Sequence, residues 1–183
     1  MSFYEEVFTG HSALEAGEYE QCTFTNCPLA GADLRGIRFL DCVFEDCDLS
    51  NANLHETALQ TVRFERCKLV GLHFEDCRAF LFTVHFTGCN LELATFTDRK
   101  LPGTAFIDCR LPETDFTGAD LQKADFSGSH LHRTVFERTD LRGADLRTAT
   151  GYVIAPEENR LRGARFDRLG LEGLLSGYGI KID

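Results

Sequence analysis

Residues 116–146 read FTGADLQKADFSGSHLHRTVFERTDLRGADL, and every fifth residue is Phe or Leu: Phe116, Leu121, Phe126, Leu131, Phe136, Leu141 and Leu146. A helix repeats on 3.6 residues and a strand on two, so neither produces this period alone. The step extends backward through Leu111, Phe106, Leu101, Phe96 and Leu91 to Phe86. A second run carries it from Phe24 through Leu29, Leu34, Phe39, Phe44, Leu49, Leu54, Leu59, Phe64, Leu69 and Phe74 to Ala79. The join from Ala79 to Phe86 breaks step by two extra residues.

Two residues before the central Phe or Leu stands a small residue, as in Ala32-Asp33-Leu34, Ala52-Asn53-Leu54, Ala119-Asp120-Leu121 and Ala144-Asp145-Leu146. Alternate residues of an extended segment share a face, so both members of each pair point inward. This pattern resembles that of the pentapeptide-repeat family, A(D/N)LXX, over at least residues 22 to 148. The resemblance implies an all-β fold, a right-handed quadrilateral β-helix with four pentapeptides per turn. Residues 20 apart should then stack. Phe24, Phe44, Phe64, Phe86, Phe106 and Phe126 form one such column, and Leu29, Leu49, Leu69, Leu91, Leu111 and Leu131 the next. A third runs Leu34, Leu54, Phe74, Phe96, Phe116 and Phe136, and a fourth Phe39, Leu59, Ala79, Leu101, Leu121 and Leu141.

The columns stay coherent if the two extra residues lengthen one corner between Phe80 and His85. At about 4.8 Å per turn, about seven turns make a rod roughly 30 to 35 Å long, held by neighbour-to-neighbour stacking. The organisation expected is a single domain, 1–183. Residues 1–20 form an irregular N-terminal cap with Leu14 and Tyr19 roughly in phase, 21–148 the regular coils, and 149–183 a C-terminal cap and dimerisation module.

All eight cysteines, Cys22, Cys27, Cys42, Cys47, Cys67, Cys77, Cys89 and Cys109, fall at the small inward position. They alternate there with Ala, Thr, Ser and Val, which reads as reduced thiols filling a core rather than as a metal or redox site. His130 and His132 sit side by side without a third ligand, and no Gly-rich phosphate loop or nucleophile motif occurs. A non-enzymatic protein without cofactor or metal is expected. The N-terminus lacks a cationic and apolar leader and no stretch is apolar enough to span a membrane, so a cytoplasmic location without membrane contact follows.

The net charge of −10 disfavours direct nucleic-acid binding and favours basic protein partners. Outward acids collect in the third column and beside it, as Glu56, Glu75, Asp76, Asp98 and Asp115, and on what reads as a neighbouring face, as Glu45, Asp46 and Glu65. These eight are the candidate partner-binding face. Asp120, Asp125, Asp140 and Asp145 recur just before the central residue, where Asp commonly stabilises a turn.

After Leu146 the repeats dissolve, re-entering the pattern once at Leu161-Arg162-Gly163-Ala164-Arg165-Phe166. Leu169, Leu171, Leu174 and Leu175 predict a short amphipathic α-helix ending near Gly177, followed by an extended Tyr178–Ile182. This tail resembles that of the Qnr-type branch of the family, the quinolone-resistance and albicidin self-protection proteins. The resemblance implies a twofold homodimer through the tail, with Leu171, Leu174, Leu175, Tyr178 and Ile180 as interface residues. It also implies a DNA-mimicking rod that engages a type II topoisomerase, DNA gyrase or topoisomerase IV, and shields it from quinolones or toxins. The alternative is a rigid interaction scaffold for another partner.

Overall fold

The computed structural model describes residues 1–180, which form a parallel β-solenoid of about eight turns with one short C-terminal helix. Central residues 20 apart pair in register, Phe24 with Phe44 and Phe44 with Phe64 on the first face, and Tyr19 with Phe39 and Phe39 with Leu59 on the fourth. Six strands on the first face, from Val7–Thr9 to Phe106–Ile107, make one parallel sheet. Four on the fourth face, from Ser2–Tyr4 to Ala58–Gln60, make another. The second and third faces are held mostly by single bridges such as Pro28 to Asp48 and Thr95 to Asp115.

Most corners are turned by the residue two after the central one, which takes a left-handed φ; at Phe74–Asp76 a 3₁₀ turn replaces it. Asp46 (53°), Glu56 (58°), Asp98 (56°) and Asp108 (52°) take that φ beside Gly118 (70°) and Gly128 (71°). Asn, Asp and Gly tolerate this conformation; Leu81 (57°) and Thr61 (56°) are held in it by the ladder around them.

The central residues are sealed from solvent and stack by column. Phe8, Phe24, Phe44, Phe64, Phe86, Phe106 and Phe126 form one continuous pile, with ring centroids 4.4 to 5.4 Å apart. Phe74, Phe96, Phe116 and Phe136 form a second. The two piles meet edge to face, as at Phe86 and Phe96. Such pairs add about 0.5–1.5 kcal/mol each beyond the area they bury.

The inward residue two before the centre is more than a filler. The thiols of Cys42, Cys47, Cys67 and Cys89 donate to the carbonyls of Tyr19, Phe24, Phe44 and Phe64 at 3.2–3.3 Å. The hydroxyls of Thr57, Thr114, Ser129, Thr134 and Thr139 donate to those of Leu34, Leu91, Phe106, Leu111 and Phe116 at 2.6–2.9 Å. In every case the acceptor is a central residue one turn earlier. Each such bond adds about 0.5–1.5 kcal/mol, although Ala32, Ala52, Ala94, Ala119 and Ala124 at the same position show that a donor is not obligatory. Burial pushes the Cys42 and Cys77 thiols up to about 12, which keeps them protonated, and all eight cysteines are buried and free of disulfides. Ile37 and Leu72 show that the position also admits larger apolar residues.

Three details depart from the sequence reading. Residues 1–20 are a paired coil: Phe3 lies over Tyr19 and Phe8 over Phe24, a turn of 16 residues that adds one level to the rod. The step lengthens to 22 between Phe64 and Phe86, and Ala79 turns outward with Phe80 and Leu81 instead of continuing the fourth column. The tail folds as a 3₁₀ turn at Arg168–Gly170, an α-helix at Glu172–Leu175 and a second 3₁₀ turn at Ser176–Tyr178, so Tyr178 is not extended; Ile182 lies outside the described residues.

Candidate docking surfaces

The eight candidate acids fall on opposite faces of the square coil, not on neighbouring ones. Glu45 and Glu65 stack in register on the first face, with Asp46 at the corner that follows. Glu75 and Asp115 belong to the third face, and Glu56, Asp76 and Asp98 to its corner, because ten residues separate the first column from the third.

Their environments differ. The Asp115 carboxylate accepts the Thr117 N–H at 2.8 Å, the turn bond that Asp120, Asp125, Asp140 and Asp145 also make to the N–H two residues on. Glu75 accepts from the Thr95 hydroxyl at 2.6 Å and lies 3.1 Å from His73. Asp46 takes the Arg66 guanidinium with both oxygens, at 2.9 and 3.0 Å, which holds its carboxyl below the usual range; Glu65 lies 3.7 Å from the same arginine. Glu56 lies 3.3 Å from Arg78. Among the described residues Glu45, Asp76 and Asp98 have no ion-pair partner. The Asp98 carboxylate folds over Gly118, where a Cβ would collide with it.

Charge is polarised along the rod. Residues 1–92 hold 15 Asp and Glu against 6 Lys and Arg, whereas residues 93–183 hold 14 against 13. Toward the C-terminal end arginines brace partly buried carboxylates: Asp140 is shared by Arg142 and Arg160, and Asp145 by Arg147 and Arg165. The acidic surface is therefore a property of the first half. Grouping the acids by column hides this division, which is countable along the chain.

The C-terminal end is closed by the tail. Leu174 packs on the core, the Gly173 carbonyl accepts the Ile154 N–H at 3.0 Å, and the Tyr178 hydroxyl donates to Glu157 at 2.7 Å. Leu171, Tyr178 and Ile180 remain exposed, and Leu175 is half-buried. Leu169, outside the expected interface set, is the most exposed large apolar residue, at 90%. It lines an open pocket of about 520 Å³ together with Tyr152, Val153, Asp167, Gly170 and Glu172 among others.

His130 bonds the Thr150 hydroxyl at 2.7 Å, and no three His, Cys, Asp or Glu side chains among the described residues are placed to hold a metal ion. No helix among them is long and apolar enough to cross a membrane.

A family model described as a pentapeptide repeat region matches residues 18–79 and 73–150. No curated protein sequence matches the chain significantly. Among solved structures, a trypsin-treated variant of QnrB1, a plasmid-mediated fluoroquinolone resistance protein, is 21% identical with a TM-score of 0.69, each chain covered in full. HetL, a pentapeptide repeat protein involved in heterocyst differentiation regulation from the cyanobacterium Nostoc sp. strain PCC 7120, is 18% identical with a TM-score of 0.66, over 91% of this chain and 84% of that one. At these identities the likeness is one of fold, and the two relatives are described with different roles.

Proposed function

Because the chain belongs to the pentapeptide-repeat family, we propose that it is a non-enzymatic, DNA-mimicking protein whose acidic half lies in the basic DNA groove of a type II topoisomerase. DNA gyrase or topoisomerase IV is the partner, and occupancy of the groove guards the enzyme against quinolones or toxins. The observation that carries the reading is the placement of carboxylates on opposite faces of the acidic half, Glu45 and Glu65 on one side and Glu56 and Asp76 on the other. A flat partner meets one side only. A groove that wraps a rod, as it wraps duplex DNA, meets both, and such clefts concentrate field of one sign.

In this reading the protein acts in the cytoplasm as a homodimer through the closed end, where Leu171, Tyr178 and Ile180 offer apolar surface and Leu174 and Leu175 support it from beneath. A supercoiling assay with purified gyrase, with and without a quinolone, tests the function. Inhibition or drug protection at tens of micromolar or below is expected; neither effect at that concentration contradicts it.

A second reading, a scaffold for a different basic protein, is favoured by the number of carboxylates already engaged. Asp115 and Glu75 serve local bonds and Asp46 and Glu65 share Arg66, whereas one strand of DNA offers a phosphate about every 3.4 Å. Charge reversal at Glu56, Asp76 and Asp98 separates the two. A topoisomerase mimic loses activity, and a scaffold using another face does not.

A further inference from the structure

The lengthened corner builds a feature that no other turn of the rod has. Arg99 occupies the inward position two before Leu101, which at every other repeat between residues 22 and 146 holds an uncharged residue, and it is 7% exposed. A buried guanidinium is costly unless its donors are met. Here Nε donates to the Phe74 carbonyl at 2.8 Å, Nη2 donates to the Cys77 carbonyl, and the cation lies 4.7 Å from the centre of the Phe82 ring. The Phe74 carbonyl is the central carbonyl of the preceding turn, which elsewhere a thiol or hydroxyl satisfies. Arg99 does the same across the insertion, and half-buried Phe82 packs against the core where Ala79 turns outward.

Clamped from beneath, the corner presents two large apolar side chains to solvent, Phe80 at 74% exposure and Leu81 at 61%. Leu81 holds the left-handed φ of 57° that turns other corners of the coil, as Leu93 does at 58°, so the ladder sets its backbone direction. Phe80 is steadied further by Gln60, which donates to its carbonyl at 3.5 Å. Beside this pair lies the acidic corner of Glu56, Asp76 and Asp98.

We propose that Phe80 and Leu81 form an anchor that inserts into an apolar pocket rimmed by Lys and Arg on the partner protein, with Arg99 as the positioning residue that fixes it before binding. Exposed charges are screened by salt and give little affinity alone, whereas a buried aromatic anchor carries a large share of binding energy. An anchor held rigid in the free protein loses little entropy on docking. The flanking carboxylates argue against an anionic lipid surface and for a basic rim. The inference rests on the groove reading above and supplies its apolar component.

Binding to immobilised gyrase, measured at low and high salt, tests it with wild type, F80S/L81S and E45K/E65K. The expected result is at least a tenfold loss of affinity for F80S/L81S, a surface change with an unaltered circular dichroism spectrum, and no change in its salt dependence. E45K/E65K, on the adjoining first face, is expected to flatten the salt dependence. Wild-type binding with F80S/L81S within twofold of it overturns the anchor and leaves the groove reading standing; absence of wild-type binding removes both. The role of Arg99 is read separately from amide exchange over residues 78–83, expected to accelerate at least tenfold in R99Q. Unchanged exchange overturns it. Should R99Q fail to fold, R99K, whose ammonium reaches fewer acceptors, gives the same readout.

Discussion

The two halves of the rod satisfy the same buried carbonyl with different chemistry. From Cys22 to Cys109 the inward donor is mostly a thiol, with S···O distances of 3.2–3.3 Å at Cys42, Cys47, Cys67 and Cys89. From Thr114 onward it is mostly a hydroxyl, at 2.6–2.9 Å. Both side chains are small enough for the slot and both donate. The thiol is the weaker donor and the better apolar filler; the hydroxyl reverses that balance. Geometry thus fixes a slot that a compact donor 23 residues after the acceptor can use in regular turns, and leaves the donor's chemistry free.

The difference is largest at alkaline pH. Burial pushes the Cys42 and Cys77 thiols up to about 12, and contact with Cys109, then burial, takes Cys89 to about 12. Below pH 9 these thiols are protonated whether the chain is folded or unfolded, and their contribution to stability is complete. Between pH 9 and 12 the unfolded chain ionises while the folded one resists, so stability falls, and it is lost as the folded values are passed. Hydrogen exchange across that range is expected to open residues 40–90 before residues 114–150, since a solenoid can lose neighbouring turns separately. Simultaneous opening would break the comparison.

Next in size is the loss of a single hydroxyl donor. Thr134→Val keeps the shape and removes the 2.6 Å bond to the Leu111 carbonyl, which retains the Thr114 N–H at 3.3 Å, at an expected cost of about 0.5–1.5 kcal/mol in urea unfolding. A change under about 0.5 kcal/mol would return the position to mere space filling. Exchanging one chemistry for the other is milder: Cys67→Ser supplies a stronger donor in a smaller group, and the two effects offset to within about 1 kcal/mol. The smallest effect is acidic. His85 Nδ1 accepts the Ala105 N–H at 3.1 Å, and burial, reinforced by Arg63, lowers its pKa. Its contribution is present above pH 6.5 and declines as pH falls through the folded value, so a thermal melt at pH 5 is expected slightly below that at pH 7.5, and His85→Gln is expected to narrow the gap.

The register was legible because stacked columns force one residue type to recur at a fixed step, and Phe and Leu ladders advertise it. The sequence reads residues 1–20 as an irregular first turn but does not place Phe3 and Phe8 in the columns, because one longer step between Phe8 and Leu14 hides their link to Tyr19. Ala79 reads as inward because its spacing fits; spacing cannot reveal that Phe82 packs on the core in its stead, beneath the Arg99 guanidinium. Arg99 was nonetheless visible as the one charged residue at an inward position of the repeats. The engagement of Glu75 by Thr95 and of Asp46 by Arg66 depends on side chains 20 residues away across a turn, which a reading along the chain does not align.

Competition with duplex DNA tests the groove reading most directly. Fluorescently labelled protein bound to gyrase should be displaced by linear duplex DNA and should rebind as that DNA is removed, with both equilibria weakening as salt rises. A ternary complex, in which gyrase holds the protein and saturating duplex DNA together without loss of affinity for either, would contradict it.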